Sequence, residues 1–244
     1  MSFKEVALDS LTYPFINWKR FLNLFILVFL SVVFSKYIII AIVISLITGG
    51  YLIRIIESTL EGSNKLPEFS NMKKLLMDGL KYIIVSIIYS SPLFVSLLIL
   101  GFSSVLNQLN YIVIGIVIGF LVNIIFLMGL TNMVQEKTIS GAFQFKRIFK
   151  LIKELGWKNY LIYLLFYTLI IEGTSLIISF FSSGLVFVSP SDIPMALENL
   201  NSYSLIGFFV LQGITSTYIL AFDGRLRGLI YPKRDLIPES HNEL

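Results

Sequence analysis

This sequence predicts an all-α integral membrane bundle, and three observations carry the prediction. Hydrophobic residues make up 56% of the 244 and charged residues only 14%, with a mean hydropathy of +0.83, whereas soluble domains are about one quarter charged. The apolar residues fall into runs as long as a helix needs to cross a hydrocarbon core, about 20 residues. All basic residues but Lys36 fall in or beside alternate gaps between those runs, as the positive-inside rule requires.

Taken in order, residues 2–12 read as a short surface helix. The first twenty residues carry Lys4, Glu5, Asp9, Lys19 and Arg20, and the run after them lacks a small-x-small cleavage site, so no removable signal peptide is expected. Residues 20–53 form an apolar run too long for one helix and are interrupted at Ser35–Lys36, which gives two spans, about 18–34 and 37–58. The second is expected to outrun the membrane, with Arg54 and Glu57 pairing at i, i+3 and Gly62 supplying a left-handed C-terminal cap. Pro67 holds Leu66 extended, and Phe69 is expected to turn back toward the interface.

Residues 70–79, SNMKKLLMDG, read as a second short surface helix with Ser70 as N-cap. The third span, 80–102, contains Ser90-Ser91-Pro92, where the missing backbone donor predicts a kink. In the fourth, 111–130, fifteen Ile, Val, Leu, Phe or Met residues at about −0.3 to −0.6 kcal/mol each outweigh Asn123. Gly115 and Gly119 give this span a GxxxG helix-contact face. The segment FQFKRIFKLIKELGW then places Phe145, Ile148, Phe149 and Ile152 at helical spacing, with Lys146, Arg147, Lys150 and Lys153 largely opposite. Such a helix either lies in the headgroup layer with its basic residues on anionic lipid or packs on the end of the bundle. Spans at 158–181 and 203–222 come next, then a polar tail, 223–244. The whole is a single membrane domain of six transmembrane helices, arranged as three hairpins.

With both termini on the cytoplasmic side, eighteen of the nineteen Lys and Arg residues face inward and only Lys36 faces out. The net charge of +4 is thus topological, and anionic headgroups rather than nucleic acid are the expected partner. Three helix starts, NWKRFLNLF, GLKYIIVSI and GWKNYLIYL, share one design, and Gly50–Gly62 and Gly129–Gly141 have equal spacing. Together they point to a weak threefold repeat of hairpins.

Catalytic chemistry is sparsely provided. Cysteine is absent and the single histidine, His241, lies in the tail, so thiolate and imidazole sites are not expected. FDGRLRG is reminiscent of phospholipid-headgroup transferases, but only Asp235 lies downstream where further aspartates are needed for a metal. No cofactor is expected. Three polar residues lie near mid-membrane: Asn123, Glu172 and Gln212. Glu172 is either a proton or cation site or a neutral carboxyl bonded between helices, and Asn123 and Gln212 read as interhelical hydrogen-bonders.

The order GY-x-x-R…G…LPEF…DG, carried by Gly50, Tyr51, Arg54, Gly62, Leu66, Pro67, Glu68, Phe69, Asp78 and Gly79, resembles the signature of an archaeal multi-pass membrane family of unknown function, the DUF 4013 type. More distantly the chain resembles helical membrane domains attached to glycerophosphodiester phosphodiesterases, without their catalytic domain. The resemblance implies a cell-membrane location and no known activity. The functional expectation is a non-enzymatic, lipid-contacting scaffold or membrane subunit with a protein partner or a second copy of itself; the alternative is a small transporter or channel built on Glu172.

Overall fold

The computed structural model describes residues 2–34, 37–101, 108–186 and 202–232. The break at Ser35–Lys36, Asp235, His241 and most of the tail lie outside them. The apolar runs are helical throughout, and the described residues contain eight α-helices: α1 Phe3–Thr12, α2 Trp18–Val33, α3 Ile38–Leu60, α4 Met72–Gly101, α5 Gln108–Glu136, α6 Phe145–Leu155, α7 Trp157–Val186 and α8 Ser202–Ile230. Short 3₁₀ turns, Tyr13–Phe15 and Ile139–Phe143, join α1 to α2 and α5 to α6. Stretches of α3, α4, α5 and α7 are long and apolar enough to cross a membrane. Their outer faces carry large apolar side chains such as Ile39, Ile116, Leu169 and Leu176, a surface suited to lipid and not to water.

Two elements run further than the sequence predicts. Residues 72–79 are not a separate surface helix but the first turns of α4, because no residue between Met72 and Leu80 breaks the hydrogen-bond ladder. The side-chain cap is Asn71 rather than Ser70, its Oδ1 accepting the Lys74 N–H at 3.2 Å. Likewise α8 continues through Ile230, so residues 223–230 belong to the bundle and not to a polar tail. Helix α1 is a packed helix, closed by a Ser2–Glu5 capping box and burying Val6, Ala7 and Ser10.

The tightest packing runs across the predicted hairpins, where α3 lies against α4 and α8. A Cβ added to Gly50 would lie 1.9 Å from the Leu75 carbonyl oxygen, and one added to Gly79 would lie 1.8 Å from that of Leu46. The two glycines therefore form a reciprocal backbone-to-backbone contact. Gly224 and Gly228 of α8 admit Ile55 and Thr59 of α3 in the same way, and Gly213 admits Phe25 and Phe29 of α2. The GxxxG that packs is thus Gly224–Gly228. Gly115 and Gly119 meet nothing within 4 Å, so the contact face expected of them is not used among the described residues. Gly62 is left-handed at φ +81° as expected, but its counterpart Gly141 instead packs on Asn132 and Met133, so equal spacing does not reflect equal roles.

These contacts divide the core into three patches. One joins α1, α5, α6, α7 and α8 around Leu127, Ile152, Tyr160, Leu164 and Phe222. The second joins α2, α3 and α8 around Leu24, Tyr51, Ile55 and Ala221, and the third joins α3, α4 and α5 around Ile56, Val85, Leu130 and Met133. Gly50→Ala or Gly79→Ala is expected to cost about 1–3 kcal/mol by overpacking, read as a lower melting temperature in detergent. Gly115→Ala and Gly119→Ala should leave that temperature unchanged. Equal behaviour of the two pairs would refute the assignment of the close contact.

Candidate functional site at the charged end of the bundle

The residues that resemble a family signature converge on one object, the connector between α3 and α4. Leu66 is fully buried, so the backbone around it must find partners inside the protein. Tyr51 Oη donates to the Pro67 carbonyl at 2.7 Å, and its ring stacks on Phe69 with centroids 4.4 Å apart. Arg54 donates to the carbonyls of Glu68 at 3.0 Å and Asn71 at 2.8 Å. It does not pair with Glu57, whose carboxylate takes Lys74 Nζ at 2.8 Å instead. Arg20 of α2 donates to the Leu66 carbonyl and pairs with the Glu68 carboxylate. Tyr13 Oη donates to the Lys65 carbonyl at 3.1 Å; burial pushes this phenol above its usual range, so it remains a neutral donor.

Two further arginines, unassigned by the sequence reading, complete this end. Arg225 is 2% exposed; it holds the Asp9 carboxylate of α1 at 2.6 and 2.9 Å, the Ser63 carbonyl at 2.6 Å and Asn64 Oδ1 at 2.7 Å. Arg227 is buried and holds Asp223 at 2.6 Å, Tyr167 Oη at 3.1 Å and the carbonyls of Phe126 and Leu127. The FDGRLRG patch is therefore a structural clasp: Asp223 and Arg227 are one helical turn apart and face the same way. Nearby, buried Asn132 donates to the Gly141 carbonyl at 2.7 Å and accepts from Tyr231 Oη at 2.7 Å.

Helix α6 divides its residues in a way that draws on both expected readings. Ile148, Leu151 and Ile152 pack into the core, while Phe145 and Phe149 stay exposed beside Lys146, Lys150 and Lys153. Trp157 extends this rim, 6.2 Å from the Phe149 ring. Arg147 is engaged with Glu136 at 2.8 Å, so three of the four basic residues present their charge outward.

The mid-membrane polar residues are not brought together. Glu172 is exposed on the outer face of α7, and Gly173 beside it meets nothing. Asn123 and Gln212 are half-buried, and none of the three makes a side-chain hydrogen bond to another described helix. A cavity of about 270 Å³ does reach the Asp223 region between α3, α4, α7 and α8, lined by Tyr82, Thr174, Ser175, Thr215 and Ser216. Thr174, Ser175 and Thr215 already donate to carbonyls of their own helices. A second cavity, about 340 Å³, lies between the ends of α3, α4 and α5 and is lined by Glu57, Lys74, Asp78, Lys81 and Lys137 over a floor of Ile53, Met133 and Val134. Its signal in the sequence is Lys74, Asp78 and Lys81 at i, i+4 and i+7, one stripe of a helix.

Removing one partner of a buried ion pair strands the other charge. Arg227→Met is therefore expected to destabilise by about 3–5 kcal/mol, and adding Asp223→Leu should recover most of the loss. A double variant as unstable as the single one in detergent melting would show that the pair is not the source.

Similarity to known proteins covers the same region. The family described as "Protein of unknown function (DUF4013)" matches residues 33–187, which includes the connector, α3 to α7 and the lysine-lined cavity. An uncharacterized protein, MJ1189, of Methanocaldococcus jannaschii is 32% identical over 171 residues, 64% of this chain. The chain spans 56% of that relative's length. No solved structure matches. With more than half of its length matched, the chain belongs to the DUF4013 family of proteins of unknown function.

Proposed function

We propose that this protein is a non-enzymatic, lipid-contacting membrane subunit or scaffold in the cell membrane, with six spans in three hairpins and both termini on the cytoplasmic side. The observation that carries the reading is the outer rim of α6. Lys146, Lys150 and Lys153 are free of ion pairs among the described residues and stand beside exposed Phe145, Phe149 and Trp157. Aromatic and basic side chains together form the composition of a headgroup-level anchor. The polar end of the bundle supports it, since its buried arginines are committed to backbone carbonyls and carboxylates. Partners on this reading are anionic lipids on the cytoplasmic face and a protein or second copy covering the outer faces of α5 and α7, where Gly115, Gly119 and Gly173 are open; nucleic acid is not among them.

A second reading, transport, draws on the hydroxyl-lined cavity beside Asp223. Glu172 lies outside that cavity's lining, so the carboxylate on the path would be Asp223, and that group is already clasped by Arg227. The arrangement favours the first reading.

Two experiments test it. Each basic residue near an anionic surface is worth about 1 kcal/mol, so replacing Lys146, Lys150 and Lys153 by Gln should weaken association with anionic nanodiscs about a hundredfold while the melting temperature holds. Unchanged association would leave α6 only as a helix packed on the end of the bundle, and ion flux in proteoliposomes that Glu172→Gln or Asp223→Asn abolishes would replace this reading by transport. The chain has no cysteine, so single cysteines at Ser63, Ser140, Asn107 and Ser191 report topology with an impermeant thiol reagent. The first two should be protected and the last two labelled from outside; any reversed pair refutes six spans.

A further inference from the structure

We infer that the cavity between the ends of α3, α4 and α5 is a binding site for a hydroxyl-bearing phosphate ester, a polyol phosphate presented as a lipid headgroup or as a free ester. The inference rests on the lipid-contact reading only for the lipid source and otherwise stands on the cavity itself. At about 340 Å³ the space suits a small polar group. Three lysines line it against two carboxylates. Lys74 is held by Glu57 at 2.8 Å and Lys81 by Asp78 Oδ1 at 3.2 Å, while Lys137 has no ion pair among the described residues. The cavity thus carries one uncompensated cation, with two more close enough to share an anion with their carboxylates.

The second observation fixes the ligand class more closely. Asp78 is 5% exposed, and its Oδ2 is buried with no hydrogen-bond partner. An ionised carboxylate oxygen accepts and cannot donate, and leaving one unsatisfied is costly. What is missing is therefore a donor. A ligand that is anionic for Lys137 and also carries a hydroxyl for Asp78 answers both; a bare phosphate answers only the first. Lys137 is itself set by the backbone, at φ +57°, directly past the end of α5. A non-glycine residue in that conformation is uncommon, and here it turns the chain from α5 toward the 3₁₀ turn at Ile139–Phe143. Ile53, Met133 and Val134 complete the lining with apolar surface.

The test uses the full chain in detergent micelles, with binding followed by native mass spectrometry and by competition. Phosphatidylglycerol and phosphatidylethanol carry the same charge, but only the first has headgroup hydroxyls. The native protein is expected to prefer phosphatidylglycerol about fivefold or more. Lys137→Asn, which keeps a residue tolerant of the left-handed backbone, should weaken both lipids about tenfold. In Asp78→Asn, the amide oxygen stays on Lys81 and an N–H₂ donor replaces the acceptor. The preference should vanish while anionic binding persists. Glycerol phosphate that displaces phosphatidylglycerol would assign the free ester as a ligand, and its failure to compete would assign the lipid. Lipid binding that neither variant alters overturns the site, even where the α6 lysine variant lowers it and so upholds lipid contact. Binding of glycerol phosphate by a chain that ignores anionic lipids would keep the site and overturn the lipid-contact reading. Should Asp78→Asn fail to fold, Lys137→Asn alone decides, because that side chain is exposed and has no ion pair among the described residues.

Discussion

The contact on which the rest of the structure depends is the reciprocal one between Gly50 and Gly79, where the backbone of each helix occupies the space a side chain would take on the other. Association of helices in lipid relies on van der Waals contact and hydrogen bonding more than on hydrophobic burial, so close backbone approach is the main route to a tight pair. Bringing α3 and α4 this close also fixes where their ends lie. The connector from Glu61 to Asn71 then folds back on the ends of the helices, with Leu66 buried and most of its other residues exposed. Leu66 anchors the connector in the core, and Tyr13, Arg20, Tyr51, Arg54 and Arg225 all donate to its carbonyls.

This dependence gives the GY-x-x-R…G…LPEF…DG order a single mechanical meaning. Gly50 and Gly79 set the crossing and Gly62 turns the chain. Leu66 plugs the core, Phe69 stacks on Tyr51, and Arg54 ties down the backbone of Glu68 and Asn71 beyond Pro67. None of these roles needs a substrate. The exception is Asp78, which sits one residue before the crossing glycine with half of its carboxylate unused. In an end so extensively hydrogen-bonded, an orphaned carboxylate oxygen on a residue that lines a cavity is a notable exception.

The charged end of the described bundle and the middle of its long helices treat polar groups differently. At the charged end, arginines are buried because planar guanidinium groups can divide their donors between carbonyls and a carboxylate, as Arg225 and Arg227 do. Lysines, which hold a compact and strongly hydrated charge, stay at the periphery on α6 and around the cavity. Along the long helices, Glu172 is exposed, and Asn123 and Gln212 make no interhelical side-chain bond among the described residues. Polar groups so placed are open to whatever covers the bundle from outside.

The sequence by itself determined the class, the positions of the helices and the segregation of charge, since each depends on local composition: an apolar run of bilayer length has few alternatives to a helix. It also determined the left-handed Gly62 and the amphipathic α6, which depend on neighbours a few residues away. What only the tertiary structure decided is which equivalent-looking feature is used. Gly115–Gly119 and Gly224–Gly228 share a spacing, yet only the second meets a helix among the described residues, because packing depends on what lies opposite. Arg54 could reach Glu57 along its own helix but takes the carbonyls of Glu68 and Asn71 from the folded-back connector. Residues 72–79 join α4 and residues 223–230 join α8 as continuous helix, and Gly79, Gly224 and Gly228 of these stretches pack on α3. The cavity brings Lys74, Asp78 and Lys81 together with Lys137, more than fifty residues further along the chain, and with Glu57 of α3, a juxtaposition that only the packing of the three helices creates.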